Sequence, residues 1–362
     1  MLKFVDEYRR PEECLEIAAR IRALSHKKMN IMEVCGGHTM AIHKYGLHKL
    51  LGENIKLISG PGCPVCVTAM EDIDAAIALS FAPKVVICAF GDLFYVPGTD
   101  SSLAQRSAER HADIRVVYSV YDALNFAKAE QDKRFIFISI GFETTAPTAA
   151  AAILRAAAEG VDNFYILGLN KTMPEALAAL LGDKQAKIDA LICPGHVSAI
   201  TGIAMYGFIV ERLGISCCVS GFEPLDLLTS IYILAALGEQ GQAKLFNAYK
   251  RAVPHDGNPK AQRLISEVFE PADASWRGLG RISNSGLKLK KSYVRFEARE
   301  NFDLKVSPAK ETAGCLCGEI LRGKKQPADC PHFGRTCTPG EPRGACMVSS
   351  EGACAAWYKY GN

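Results

Sequence analysis

Long hydrophobic runs are missing from this sequence. The longest, residues 75–90, is broken by Ser80, Pro83 and Lys84, so no stretch reads as a membrane span. A surplus of one charge is missing too. Lys and Arg number 42 against 39 Asp and Glu, a formal net charge of +3, whereas a nucleic-acid groove needs a basic face. The short basic runs Lys27-Lys28 and 288–291 read as solvated surface. The opening residues, Met1-Leu2-Lys3-Phe4-Val5-Asp6-Glu7, lack the basic-then-apolar order of an export leader. The expected location is therefore the cytoplasm, with no membrane and no nucleic acid as partner.

Cysteine, in contrast, is plentiful, at 14 of 362 residues. In a reducing cytosol, clustered cysteines more often bind metal or do redox work than form structural disulfides. Staples are not needed here. Apolar residues make up 49% and charged residues 22%, an ordinary globular composition, and a chain this long can bury a large core. The length points to two or three domains.

One stretch organises the rest: Gly60-Pro61-Gly62-Cys63-Pro64-Val65-Cys66. It follows a β-branched and apolar run, 55–59, and precedes a helical pattern, 68–81. Two thiols thus sit where a strand gives way to a helix. Glycine lets the backbone turn there, and a helix N-terminus favours a thiolate. Such a pair can form a disulfide, exchange electrons or hold a soft metal. Two buried cysteines that merely pack would not require the surrounding Pro and Gly.

Strands and helices alternate along the chain. Pro11 opens an amphipathic helix with Cys14, Ile17, Ala18, Ile21 and Leu24 on one face, where Cys14 reads as core. Strand 30–34 ends in Cys35-Gly36-Gly37-His38-Thr39, followed by a helical run over 40–51. Strand 84–90 leads into Gly91-Asp92, and a helix over 103–111, a strand over 114–118 and a helix over 121–129 close a first unit. A second unit looks similar. Strand 135–140 ends in Gly141-Phe142-Glu143-Thr144-Thr145 and helix 147–159 follows. Strand 164–169 precedes helix 174–181. Strand 190–193 ends in Pro194-Gly195-His196-Val197-Ser198. Strand 215–219 ends in Gly221-Phe222-Glu223 and helix 226–237 follows. Gly-Phe-Glu occurs twice, at 141 and 221, each time just after a strand. Helical runs are then expected over 243–253 and 261–269, and beyond Trp276, which reads as a packing residue, strands and loops.

This order predicts an α/β fold: two similar four-stranded, parallel-sheet βα lobes facing a cleft, with a loop-rich C-terminal region. The expected domains are 28–130, 131–237, and 238–362 together with the N-terminal helix 1–27. In such folds ligands bind at the carboxyl ends of the strands. Cys35, His38, Cys63, Cys66, Asp92, Glu143, His196 and Glu223 all fall there. Each has a plainer alternative: Glu143 and Glu223 could cap helices, and His196 could be a satisfied loop histidine.

Six cysteines lie between 315 and 354: Cys315, Cys317, Cys330, Cys337, Cys346 and Cys354. Pro, Gly and short polar residues surround them, so a bound metal centre would supply the missing cross-links. Thiolate ligation fits zinc or an iron–sulfur cluster. Wide spacing favours a cluster, and Cys330-Pro331 matches the proline that often follows a cluster cysteine.

Several of these motifs resemble the HypD family of hydrogenase maturation proteins, nearly end to end. They are Phe4-Val5-Asp6-Glu7-Tyr8-Arg9, Met32 to Thr39, Gly60 to Cys66, Gly141 to Thr145, Pro194 to Ser198, Gly221 to Leu227, Trp276 to Gly280 and Met347 to Tyr358. The resemblance implies a scaffold on which the Fe(CN)2CO group of [NiFe]-hydrogenases is assembled, with a HypC-like small chaperone and a HypE-like cyanide donor as partners. It implies a [4Fe–4S] cluster on Cys317, Cys330, Cys337 and Cys354, the iron under assembly on Cys35, and Cys63/Cys66 as the redox pair. His38 would donate a hydrogen bond to a cyanide, tune Cys35, or orient the turn. Two other readings stay open: an iron–sulfur-fed thiol–disulfide reductase acting on another protein, and a zinc protein that uses the tail for binding.

Overall fold

The β-branched runs form strands in the order the alternation predicts. A computed structural model describes residues 2–3, 5–109, 112–183, 187–304, 306 and 309–361. The strands are β1 (Met29–Glu33), β2 (Ile55–Ser59), β3 (Val85–Ala89), β4 (Asp113–Val116), β5 (Arg134–Gly141), β6 (Phe164–Asn170), β7 (Ala190–Pro194), β8 (Ser216–Ser220), β9 (Leu245–Asn247), β10 (Phe269–Trp276) and β11 (Gly280–Leu289). Nine of them make two parallel sheets, ordered β2-β1-β7-β8-β9 and β4-β3-β5-β6, while β10 and β11 pair as an antiparallel hairpin. Strands β3, β7 and β8 are buried at every residue, as parallel strands covered on both faces must be.

The pairing does not follow the expected division of the chain. A boundary at 130/131 would part β4 from β5, yet both belong to one sheet, and β1 pairs directly with β7, Ile31 lying beside Ala190. One lobe is thus continuous and four-stranded; the other is five-stranded and built from both ends of the first 250 residues. The fifth strand is β9, which replaces the helix expected over 243–253. Its Phe246 lies beside Cys218, so sheet pairing overrides the local helical pattern. The helix expected over 103–111 forms as Leu103–Ala108; Arg110 and His111, like Phe4 of the first motif, lie outside the described residues.

The inner faces of both sheets contribute to one hydrophobic cluster that takes in Met32 and Val34, Ile87, Ile136 and Ile138, and Leu191. Cys63, Cys66, Cys317, Cys337, Cys346 and Cys354 belong to that same cluster. The cysteine tail is therefore packed into the shared core rather than hung beside it. Cys14 is buried on helix α1 (Pro11–Leu24), and Trp276 is buried, stacked on Phe142 with its indole N–H donating to Ser285 Oγ at 2.9 Å. Among the described residues no helix is long and apolar enough to cross a membrane.

Candidate functional site

Strands β1 and β2 lie side by side in parallel, with Glu33 against Ser59, so the turns that follow them must meet. Cys35, in extended backbone, is the N-cap of helix α2 (Gly36–Lys44). The Gly36 N–H donates to the Gly62 carbonyl at 3.0 Å, and the Gly60 N–H to the Glu33 carbonyl at 2.8 Å. The glycines serve close approach here. A Cβ on Gly62 would stand 2.1 Å from the Cys35 nitrogen, and one on Gly60 would stand 2.8 Å from the Glu33 oxygen. Cys63 then caps the short helix α3 (Pro64–Val67), its sulfur accepting from the Cys66 N–H at 3.4 Å. Cys35 and the Cys63/Cys66 turn are thus neighbours, and all three are free thiols.

Cys35 sits between two carboxyl groups that sequence reasoning did not single out. Glu33, 1% exposed, accepts from the Cys35 N–H at 3.3 Å and from the Thr39 hydroxyl. Burial pushes its carboxyl up to about 8. Glu351 lies over the glycines from the other side; a Cβ on Gly36 would meet its Cβ at 2.5 Å. Burial first, and Glu351 next, push the Cys35 thiol up to about 12. A charged residue ending the apolar strand β1 was a signal for Glu33; nothing in the local pattern announces Glu351. Burial thus disfavours the thiolate of Cys35 and the charged forms of both carboxyls alike.

His38 and His196 come together around one ring. His196 stacks on Phe222 at 4.0 Å, and His38 packs against it at 4.7 Å. A Cβ on Gly37 would also touch Phe222, at 3.0 Å. Burial lowers both histidines, His38 to about 3. A neutral imidazole has one N–H. Nε2 of His38 faces the Ser220 carbonyl at 3.3 Å, which can only accept, so the proton belongs there. The other ring nitrogen, Nδ1, is buried without a hydrogen-bond partner.

The two glutamates of the Gly-Phe-Glu turns take structural partners. Glu223 caps the helix Pro224–Gln240 and forms an ion pair with Arg9. Glu143 accepts from the Met173 N–H at 2.9 Å, at the start of the helix Met173–Gly182; burial pushes it up to about 7 and its second oxygen has no partner. Asp92 accepts from Ser349 Oγ at 2.7 Å, tying the tail to the second sheet beside Glu351.

All six tail cysteines line one pocket, closed on its apolar side by Ile320, Phe333 and Met347. Within it the sulfurs of Cys317 and Cys346 stand 2.7 Å apart. Cys346 in turn reaches back to Cys66, whose sulfur also faces the Ala345 carbonyl at 3.9 Å. The Cys66 thiol gains from its hydrogen bond to Cys346, but the bond to Cys63 and burial outweigh this and hold it well above the ordinary thiol range. A row of sulfurs therefore runs Cys63, Cys66, Cys346, Cys317 into the pocket. Among the described residues no three His, Cys, Asp or Glu side chains converge as one metal ion requires. A cubane is wider than a single ion, and an all-sulfur, apolar-walled donor set fits that class of group.

Comparison with known proteins gives one consistent result. A family model described as "HypD: Hydrogenase formation hypA family" matches residues 12–361. The chain is 44% identical over 367 positions to the hydrogenase maturation factor HypD of Escherichia coli (strain K12), covering 99% of this chain and 98% of that one. It is 43% identical over 369 positions to HypD of Rhizobium leguminosarum bv. viciae, covering 99% and 96%. To HypD of Azotobacter vinelandii it is 40% identical over 368 positions, covering 99% and 97%.

Proposed function

The chain belongs to the HypD family of hydrogenase maturation factors, and on that premise we propose that it is the scaffold and redox protein on which an Fe(CN)2CO group is built. Cys35 holds the iron, jointly with a thiolate from a HypC-like small chaperone, and a HypE-like donor brings the cyanide. Iron bearing cyanide and carbon monoxide wants a soft ligand, which the Cys35 sulfur supplies. Binding the metal releases the thiol proton to solvent.

Cys63 and Cys66 act as a two-electron store. Oxidation of the two thiols to a disulfide releases two electrons and two protons, and reduction reverses it. The tail holds a [4Fe–4S] cluster, which when bound supplies one-electron chemistry. On this reading its ligands are Cys317, Cys330, Cys337 and Cys354, with Cys315 and Cys346 in the same pocket. Cys346, which reaches back to Cys66, lies between the cluster and the dithiol.

The observation that supports this most is the hydrogen bond from Gly36 to the Gly62 carbonyl. It keeps a metal-gripping sulfur and a dithiol on one wall. Zinc would need its ligands around a single point, and among the described residues none gather so.

The test is an infrared spectrum of protein co-purified without air with its small partner. Cyanide and carbonyl stretches are expected in the wild type and absent from Cys35→Ala, which should also abolish hydrogenase maturation in cells. Bands that persist in Cys35→Ala would overturn the assignment.

A further inference from the structure

Two short helices, Ala345–Val348 and Ala353–Tyr360, are joined by Ser349-Ser350-Glu351-Gly352, and this joining loop lies across the Cys35 turn. Both of its ends are pinned. Cys346, Met347 and Cys354 line the pocket of the tail, and Trp357 of the second helix stands edge-on to His43 of α2, ring centroids 5.9 Å apart. The loop is folded tightly on itself. The Gly352 N–H donates to the Ser349 carbonyl at 2.9 Å, and a Cβ on Gly352 would stand 2.3 Å from the Cys346 carbonyl oxygen.

The loop touches both lobes. Toward the five-stranded sheet it presses on the turn after β1. A Cβ on Gly36 would stand 2.8 Å from the Glu351 carbonyl oxygen, and one on Gly37 would stand 3.6 Å from its carboxyl. Toward the four-stranded sheet it reaches Asp92, in the turn after β3, through the hydroxyl of the buried Ser349 at 2.7 Å. Cys35, next to those glycines, is 8% exposed. A sulfur that is to share an iron with a second protein's thiolate cannot do so behind a closed wall. The turn itself cannot give way, because the Gly36 bond to Gly62 locks it. The loop can. Its tie to the four-stranded lobe is a hydroxyl bonded to an exposed carboxylate, and water replaces such a bond at small net cost.

We propose that residues 349–352 are a strap that gates access to Cys35, latched by the Ser349–Asp92 hydrogen bond. This rests on the reading of Cys35 as the iron ligand: the strap must lift before iron and a thiolate from the small chaperone can reach that sulfur.

The experiment follows the labelling of individual cysteines in full-length protein purified without air. N-ethylmaleimide is added at fixed pH, and each labelled cysteine is quantified over time by mass spectrometry. Cys218, fully buried on β8, reports global opening. Breaking the latch should raise the rate at Cys35 about threefold or more, in Ser349→Ala and in Asp92→Ala alike, with Cys218 unchanged. The two changes break the same bond, so the double variant should label no faster than the faster single one. Asp92 is exposed, and Asp92→Ala decides the matter if Ser349→Ala does not fold. A smaller rise at Cys35, a matching rise at Cys218, or additive effects in the double variant overturn the strap. Labelling reads access to Cys35 whether or not that residue holds iron. The iron reading falls separately, if the infrared bands survive Cys35→Ala.

Discussion

The sulfurs of Cys35 and Cys63 stand at the ends of neighbouring strands, where paired backbone fixes them before any ligand arrives. Those of Cys315, Cys330 and Cys337 stand in loops. The longest described helix beyond residue 309 is Ala353–Tyr360, 8 residues, and the turns around Cys330 and Cys337 rest on a few bonds, such as Cys337 N–H to the His332 carbonyl at 2.9 Å. The contrast separates two ways of holding a reactive atom. At the strand ends the fold places the sulfur; in the tail, on the proposed reading, a metal centre bridging the sulfurs would help to place the fold.

Changes in the two regions should therefore fail differently. Cys354→Ala is expected to have the largest effect. Iron content should fall and the tail should become sensitive to protease; unchanged iron would remove Cys354 from the ligand set and break the contrast. Gly62→Ala should come next. With a Cβ 2.1 Å from the Cys35 nitrogen, two backbone turns must part, at a cost on the order of 3 kcal/mol, measured by chemical denaturation. Maturation should be lost with it.

Glu143→Gln probes the lobes rather than the sulfurs. The folded carboxyl is raised from 4.5 to about 7, so the protonated form is the favoured one in the fold. Its contribution is complete below the ordinary carboxylate range and is lost as pH rises through 7. Wild-type stability should decline between about pH 5 and 8. The glutamine variant, which can still accept from Met173, should decline less and be more stable at pH 8 by at most about 3 kcal/mol. Glu33, raised to about 8, and Glu297, raised to about 7, add to the same slope. A steeper decline in the variant would contradict the buried-acid account. The smallest structural effect belongs to Cys63→Ser. The Gly36–Gly62 bond does not involve that side chain, so stability should change by less than about 1 kcal/mol while maturation stops. Insoluble protein would make the pair structural.

Much of this arrangement is legible in the sequence, and the rest fails for identifiable reasons. Alternation gives the parallel sheets, and the rule that sites gather at strand carboxyl ends gives Cys35 beside Cys63, because β1 and β2 are neighbours in both chain and sheet. The pairing of β1 with β7 is not legible, since nothing local encodes a contact across some 160 residues of chain. The same blindness hides Glu351, which reaches the site from a distant loop. His196 and His38 are found, but only the acceptor opposite Nε2 tells what His38 can donate. For Glu223 and Glu143 the capping alternative was legible in the sequence, but the partners Arg9 and the Met173 N–H were not, because they lie far away in the chain.

The discontinuous sheet has a consequence for how the molecule comes into being. On a ribosome, β1 and β2 emerge early and must wait for β7. At the usual pace of synthesis that wait is roughly 10–30 s, during which the four-stranded lobe between them can close on its own. Glu351 follows some 160 residues after β7 begins. A nascent chain can therefore display Cys35 well before the carboxyl that covers its turn has been made.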